Sequence, residues 1–205
     1  PKTGIRYPVQ PIKSKLNKVL TLKLATGVPL PSQNQERNGI IIARELRCTY
    51  FDRNLHKFIG STTILKADWD INFEDRWTFG EKGLPLIVKA DATQNLCLIF
   101  EFVAFITEPT KGTEIQISCG WSSYDVENMG LLSTEVRSPI LGGSPIINSK
   151  IRSSDIRTGR GTFMGKIAKF FSGDIKSEIC FDLKEVDKLG PNTTVSLANV
   201  VFHPA

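Results

Sequence analysis

The sequence predicts an all-β protein that folds as one antiparallel β-sandwich. Three blocks carry this prediction, because each alternates apolar and polar residues as a half-buried strand does. They are WDINFEDRWTFG, LCLIFEFVAFI and EIQISCGWSSYDV, at residues 69–80, 96–106 and 114–126. A chain of 205 residues with 40% hydrophobic composition can enclose one sizeable core. We therefore expect a single sandwich domain rather than two small ones.

The first part of the chain is basic and irregular. Two X-Pro steps, at Pro8 and Pro11, and the lack of any periodicity predict an extended basic arm over residues 1–17. Alternating leucines then predict the first strand over residues 18–25. The sandwich domain is accordingly expected to span residues 18–205.

A β-hairpin is predicted next. Segments 39–52 and 55–69 are both strand-like, and Asp52, Arg53 and Asn54 form a turn between them. We expect four cations of this hairpin to share one outward face, where they would bind an anionic lipid headgroup. These candidate lipid-binding residues are Arg44, Arg47, Lys57 and Lys66.

The middle of the chain holds the strongest strand signals. Segment 73–79 alternates aromatic and polar residues, and segment 84–88 reads as a short edge strand because it contains Pro85. Segment 96–106 is the most apolar run and predicts a central strand. Segment 114–126 predicts another strand, with a bulge or turn allowed at Gly120.

Residues 129–161 lose the strand pattern and predict a long irregular insertion. A basic loop lies at its end, with Lys150, Arg152, Arg157 and Arg160 as candidate phosphate-binding cations. Residues 163–171 fit either a helix or a strand. Segments 177–186 and 194–202 predict two strands that close the sandwich.

The sequence offers no recognisable catalytic constellation. Four dispersed cysteines without a C-x-x-C pair are read as reduced core thiols. The chain has two histidines, His56 and His203, no G-x-S-x-G motif, and a GRGTFMGK segment whose glycine spacing does not match a phosphate-binding loop. We expect no enzyme activity, catalytic residue, cofactor, metal or small-molecule substrate.

A resemblance to a known domain type is found in residues 57–79, KFIGSTTILKADWDINFEDRWTF. This segment resembles the middle of a C2 domain, LCLIFEFVAFI resembles its central strand, and GIIIARELRCTYFD resembles the strand before the hairpin. The resemblance covers residues 18–126 and implies a C2-like sandwich. Calcium binding is not expected, because the loops 25–38 and 107–113 carry only Glu36 and Glu108, whereas Ca²⁺ takes about six to eight oxygen ligands.

The rest of the chain is similar to the nephrocystin family of ciliary and cell-junction scaffold proteins. The similarity lies in ISCGWSSYDVENMG, ILGGSPI and LGPNTTVSLANVVFHP, although Ser122 and Ser123 stand where the family has more apolar residues. It implies a calcium-independent scaffold module whose partners are other ciliary or junction scaffold proteins. It also implies an intracellular location at the ciliary transition zone or a cell junction, peripheral to the membrane.

The sequence is compatible with three functions. A scaffold would use exposed β-surfaces, with Trp121 or Tyr124 as aromatic anchors if they face outward. A membrane-surface module would bind phosphoinositides through the hairpin cations and the basic loop. A viral or nucleic-acid-binding jelly roll would use the basic arm, but the strands lack the interleaved aromatic and basic residues of a base-stacking platform, so nucleic acid is not expected.

Overall fold

A computed structural model of the chain describes residues 16–30, 40–70, 72–90, 95–107, 112–126, 135–145, 177–185 and 200–202. Within these ranges the chain forms β-strands and no α-helix. The strands are β1 Leu16–Thr26, β2 Ile40–Asp52, β3 Lys57–Lys66, β4 Asp68–Asp70, β5 Phe73–Thr78, β6 Leu84–Ala90, β7 Leu96–Thr107, β8 Glu114–Asp125, β9 Val136–Pro139, β10 Leu141–Gly142, β11 Glu178–Glu185 and β12 Val200–Phe202.

The strands form two sheets that pack face to face, which confirms the predicted all-β sandwich. The first, the β1 sheet, has the order β12-β6-β1-β11-β9, and β5 pairs with β1 while β4 pairs with β5. The second, the β7 sheet, has the order β10-β8-β7-β2-β3 and includes the predicted hairpin of β2 and β3. One pair departs from the antiparallel prediction, because β12 runs parallel to β6.

The core lies between the two sheets and is richest around β7. This strand has β2 on one side and β8 on the other, and it is buried along most of its length. The ring centroids of Phe102 and Trp77 are 5.3 Å apart in an edge-to-face contact, and those of Phe100 and Phe181 are 5.6 Å apart. Each such fully buried side chain stabilises the fold by about 1.5–3 kcal/mol. The prediction of a central strand is confirmed.

One edge of the sandwich is closed by a segment that changes sheets. β9 pairs with β11 in the β1 sheet, and β10 pairs with β8 in the β7 sheet. At the crossing, the Ser122 hydroxyl donates to Ser138 Oγ at 2.9 Å, and the Ser138 hydroxyl donates to the Ser123 carbonyl at 3.0 Å. Residues 135–145 of the predicted irregular insertion therefore contain regular strands, while 129–134 and 146–161 lie outside the described residues.

The predicted bulge in β8 is present. Phe102 lies opposite Gly120 and Val103 lies opposite Ser118, so Cys119 is the extra residue. A Cβ atom on Gly120 would lie 2.7 Å from the Leu141 carbonyl oxygen. Glycine is thus needed here because β10 approaches the β8 backbone closely.

The prediction of an edge strand at residues 84–88 is wrong. β6 lies between β1 and β12, and residues Ile87–Lys89 pair with β12. Pro85 lies opposite Thr21 of β1. The local sequence indicated an edge because proline lacks an N–H, but a strand far along the chain covers part of the other side.

Several predictions concern the ends of the chain. β1 begins at Leu16, two residues inside the predicted arm, and residues 1–15 lie outside the described ranges. The first closing strand is confirmed as β11. Of the second predicted closing strand, the structure describes β12. Residues 163–171, which fit either a helix or a strand on sequence, lie outside the described residues.

All four cysteines are free and buried, which confirms the prediction of core thiols. Burial raises the pKa of Cys48 well above its ordinary value. It raises the pKa of Cys97 to about 12 and that of Cys119 to about 11. These thiols are therefore kept in the neutral form that packs as a small apolar side chain.

Candidate interaction surface

The four hairpin cations do not share an outward face, so this prediction is wrong. Arg44 and Arg47 are three residues apart on β2, and side chains of a strand alternate between its faces. Arg44 points toward the β1 sheet with Leu46 and is only 3% exposed. Arg47 points away from the core.

The two lysines divide in the same way. Lys66 lies opposite Glu45 and shares the outer face with Arg47. Lys57 lies opposite Asp52, at the far end of the hairpin, on the side of the strand that bears Arg44. The predicted set therefore separates into two pairs on opposite faces of the sheet.

Arg47 is engaged within its own sheet. Its guanidinium lies 3.1 Å from a Glu45 carboxylate oxygen and donates at 3.0 Å to Gln116 Oε1. Glu45 also lies opposite Lys66, so one carboxylate stands between the two outer-face cations. An ion pair of this kind contributes at most about 1 kcal/mol to stability, but it offsets charge that a lipid headgroup would need.

Arg44 is held in an aromatic site between the sheets. Its guanidinium carbon is 4.6 Å from the ring centroid of Trp69 and 5.6 Å from that of Trp77. Arg44 Nη1 donates to the Glu74 carbonyl oxygen at 2.6 Å. Burial lowers the pKa of Arg44, and the nearby Glu74 carboxylate opposes that change. Arg44 consequently fixes the position of Trp69, with a cation–π contribution of about 0.5–2 kcal/mol.

The two aromatic candidates for protein binding do not present their rings to solvent as anchors. Trp121 is fully buried in a cluster with Phe51, Cys97 and Ile99, so its prediction as a surface anchor is wrong. Tyr124 is half-buried and packs edge-on against Phe181 at 5.3 Å between centroids. Burial raises the pKa of Tyr124.

The basic-loop residues Lys150, Arg152, Arg157 and Arg160 lie outside the described residues.

A different surface carries exposed apolar side chains. The structure describes eight large exposed hydrophobic residues, and five of them lie at one end of the sandwich. β7 ends here and its two neighbours, β2 and β8, begin here, because Thr107 lies opposite both Ile40 and Glu114. β1 and β4 also end at this end of the sandwich, and β5, which pairs with both, begins there. We call this region the apolar end and use the name for its exposed apolar residues, Ile40, Ile42, Trp69, Phe73 and Ile115. Alternation places Ile40, opposite Thr107, on the outer side of the β7 sheet and Ile115, opposite Ile106, on its inner side.

Trp69 and Phe73 are placed there by a short hairpin. Trp69 of β4 pairs with Trp77 of β5, and Asp70 pairs with Phe73. The Asp70 carboxylate accepts a hydrogen bond from the Asn72 N–H at 2.9 Å and so shapes the turn. The Ala67 N–H donates to the Arg44 carbonyl at 3.0 Å, which ties the hairpin to β2.

Sequence reasoning missed this surface, although a signal was present. The run Ile40-Ile41-Ile42 puts isoleucines on both faces of a strand. One of those faces lies outside the core, so at least one exposed isoleucine follows from alternation alone. Trp69 gave no such signal, because its exposure depends on how the β4–β5 hairpin packs on Arg44.

The apolar end is bordered by carboxylates. Asp68, Glu74 and Glu114 are exposed, and Asp70 and Asp75 are half-buried. Arg76 lies 3.7 Å from Asp70 and offsets part of that charge. Two further cations lie at this end, Arg47, which donates to Gln116 next to Ile115, and the exposed Lys66, two residues before Asp68. The described part of this end therefore carries both charge signs beside its exposed apolar side chains.

The described residues were compared with the residue groups that hold metal ions. Within them, no group of three or more His, Cys, Asp or Glu side chains is placed to hold a metal ion. His56 lies exposed in the β2–β3 turn with a φ of 53°. The two loops considered for calcium lie mostly outside the described residues.

The described residues also include no helix with the length and apolar composition needed to cross a membrane. No protein-family model matches the chain, and no curated protein matches it.

Proposed function

We propose that this chain is a non-catalytic protein-interaction module that docks a partner protein at the apolar end. The observation that carries the proposal is the exposure of Trp69 and Phe73, 41% and 57%, on the one short hairpin of β4 and β5. Neighbouring exposed apolar side chains, such as two on one hairpin, mark interaction sites, and tryptophan is enriched among the residues that dominate binding energy.

The position of Trp69 favours tight docking. Its ring rests on the Arg44 guanidinium, which is itself bonded to the Glu74 carbonyl. A side chain already held in place loses less conformational freedom when a partner covers it, a saving of about 0.5–1.5 kcal/mol for each immobilised side chain. Trp69 is thus suited to act as a preorganised anchor.

The resemblance to nephrocystins supports the class of partner. We expect ciliary transition-zone or cell-junction scaffold proteins, bound without calcium. The phosphoinositide alternative has less geometric support, because Arg44 is buried and Arg47 is paired with Glu45. Headgroup recognition through those residues would need cations gathered on one face.

A matched pair of variants tests the proposal. Phe73→Ser removes an exposed ring from the apolar end, and Ile64→Ser removes a comparably exposed side chain, 53%, from the outer face of β3. Each protein is immobilised and used to capture partners from ciliated cells, with quantification by mass spectrometry. We expect scaffold proteins that the wild type and Ile64→Ser retain and that Phe73→Ser loses by about tenfold or more.

Equal capture by all three proteins would contradict docking at the apolar end. Flotation with phosphoinositide-containing and neutral vesicles, done on the same proteins, separates the membrane alternative. Recovery that depends on phosphoinositide, together with no captured scaffold protein, would favour that alternative over the one proposed.

A further inference from the structure

The two outer strands of the β7 sheet differ in how their edges are protected. The register of β2 and β3 sets three residues of β3, 60–62, against the single residue Thr49 of β2, and Gly60 has a φ of 80°. Lysines stand at both ends of this strand, Lys57 and Lys66. Bulges and lysines are features that keep a strand edge from pairing with another chain. The edge formed by β3 is therefore protected.

The opposite side of the sheet has a plainer edge in the first part of β8, residues 114–118, which we call the β8 edge. These five residues pair with β7 in unbroken register and include no lysine, proline or glycine. The bulge of β8 lies beyond them, at Cys119. Their side chains are exposed at 114–116 and half-buried at 117 and 118. A strand edge of this kind is a template on which another strand can pair.

The neighbouring strand β10 does not extend along the β8 edge. Among the described residues, β8 pairs on this side with β10 at Gly120 and Trp121. The chain then crosses to the outer side of the sheet, where the Ser144 hydroxyl donates to a Glu101 carboxylate oxygen at 3.3 Å. Glu101 belongs to β7, one strand further into the sheet. No described strand therefore lies beside the β8 edge.

We propose that two copies of this chain pair through the β8 edge, as an antiparallel dimer with its two-fold axis at Gln116. The pairing joins the two β7 sheets into one continuous sheet. This inference goes beyond the proposed function, because docking of a partner at Trp69 and Phe73 does not require it.

The β8 edge is complementary to itself in this register. Gln116 lies opposite Gln116 of the second copy, Ile115 lies opposite Ile117, and Glu114 lies opposite Ser118. Alternation places the two isoleucines on the inner side of the sheet and the other three residues on the outer side. Apolar side chains therefore face apolar ones and polar side chains face polar ones in both rows, as stable cross-strand pairs do. Self-complementary contacts of this kind are those of two-fold dimers.

Charge does not oppose the pairing. Glu114 is the one charged residue of the β8 edge, and its two copies would lie at opposite ends of the paired strands, about 14 Å apart. This separation is larger than the screening length of about 8–10 Å at physiological salt. The cation beside the edge, Arg47, donates to Gln116 Oε1 at 3.0 Å and also lies 3.1 Å from a Glu45 carboxylate oxygen.

Sedimentation equilibrium of the intact chain at low salt tests the proposal. Because two paired five-residue strands make a small interface, we expect a weak dimer whose population rises between about 10 µM and 1 mM protein. Gln116→Lys and Gln116→Glu each put like charges directly opposite one another, so each should weaken the dimer by about fivefold or more. An equal mixture of the two variants puts opposite charges there and should associate at least about threefold more tightly than either variant alone.

Ile64→Lys and Ile64→Glu are the matched controls. Ile64 is 53% exposed on β3, the other outer strand of the same sheet. Both changes should alter the dimer population by less than about twofold, because the β3 edge takes no part in the pairing. Thermal melting confirms that all four variants are folded.

A wild-type chain that stays monomeric up to about 1 mM overturns the inference, whatever segment then lies beside β8. A mixture of the two Gln116 variants that associates no better than its components excludes the two-fold axis at that residue. Ile64 variants that weaken the dimer as much as the Gln116 variants do would assign the contact to β3. Each of these results contradicts the proposal, whereas the docking proposal is tested separately by partner capture with Phe73→Ser.

Discussion

Trp121 and Trp69 show how differently two tryptophans of one sandwich can be used. Trp121 lies on the face of the β7 sheet that points away from the β1 sheet, opposite Glu101, yet it is fully buried in the cluster with Phe51, Cys97 and Ile99. Trp69 lies against Arg44 and near the core residue Trp77, yet it is 41% exposed. The side of a strand that a residue occupies does not by itself decide its burial, because burial depends on what packs over that side.

The largest expected contrast is in stability. Trp121→Ala should lower the free energy of unfolding by about 3–5 kcal/mol, because it leaves a cavity in a closed cluster. Trp69→Ala should lower it by about 1 kcal/mol, the loss of a half-exposed cation–π contact. Urea denaturation of both variants measures the difference, and similar losses for the two would remove the distinction between the regions.

A smaller effect is expected at the glycine before Trp121. Gly120→Ala should cost about 1–3 kcal/mol, because the added Cβ would lie 2.7 Å from the Leu141 carbonyl oxygen and displace β10. Gly142→Ala is the matched control, since nothing lies within 4 Å of its added Cβ. Thermal denaturation should separate the two variants, and an unaffected Gly120→Ala protein would mean that β10 can move away without cost.

The third prediction uses the thiol in the Trp121 cluster. Burial raises the pKa of Cys97 to about 12, against about 8.5 in an unfolded chain. The stabilising contribution of the neutral thiol is complete below about pH 8.5 and is lost as pH rises toward the folded pKa, because only the unfolded state releases the proton. Between about pH 7.5 and 9.5 the wild type should lose about 1.4 kcal/mol more stability than Cys97→Ala.

Denaturant titrations of both proteins at the two pH values check this prediction. Parallel losses would show that Cys97 ionises as readily in the folded protein as in the unfolded chain. Trp69→Ala, which lies outside the cluster, should keep the pH dependence of the wild type.

Local pattern was enough to predict much of the fold. The alternating blocks predicted β5 and β8, the apolar run predicted the central strand β7, and Asp52 to Asn54 marked the β2–β3 turn. Gly120 marked a bulge that the structure contains. These features are set by neighbouring residues, because strand alternation and turn geometry act over a few positions.

The candidate site was less accessible to sequence. Alternation alone places Arg44 and Arg47 on opposite faces of β2, so a strict period of two already divides the cation set. The change of sheet between β9 and β10, and the pairing of β6 with β12, carry no local signal, because each depends on a strand distant in the chain.

The sequence by itself determined which segments become strands, where the central strand and its bulge lie, and that the cysteines are core thiols. Only the tertiary structure decided that Trp121 is enclosed, that Arg44 supports Trp69, and that Trp69 and Phe73 are exposed. The physical reason is that alternation fixes the two faces of each strand locally, whereas the burial of a face is fixed by whatever the folded chain places over it.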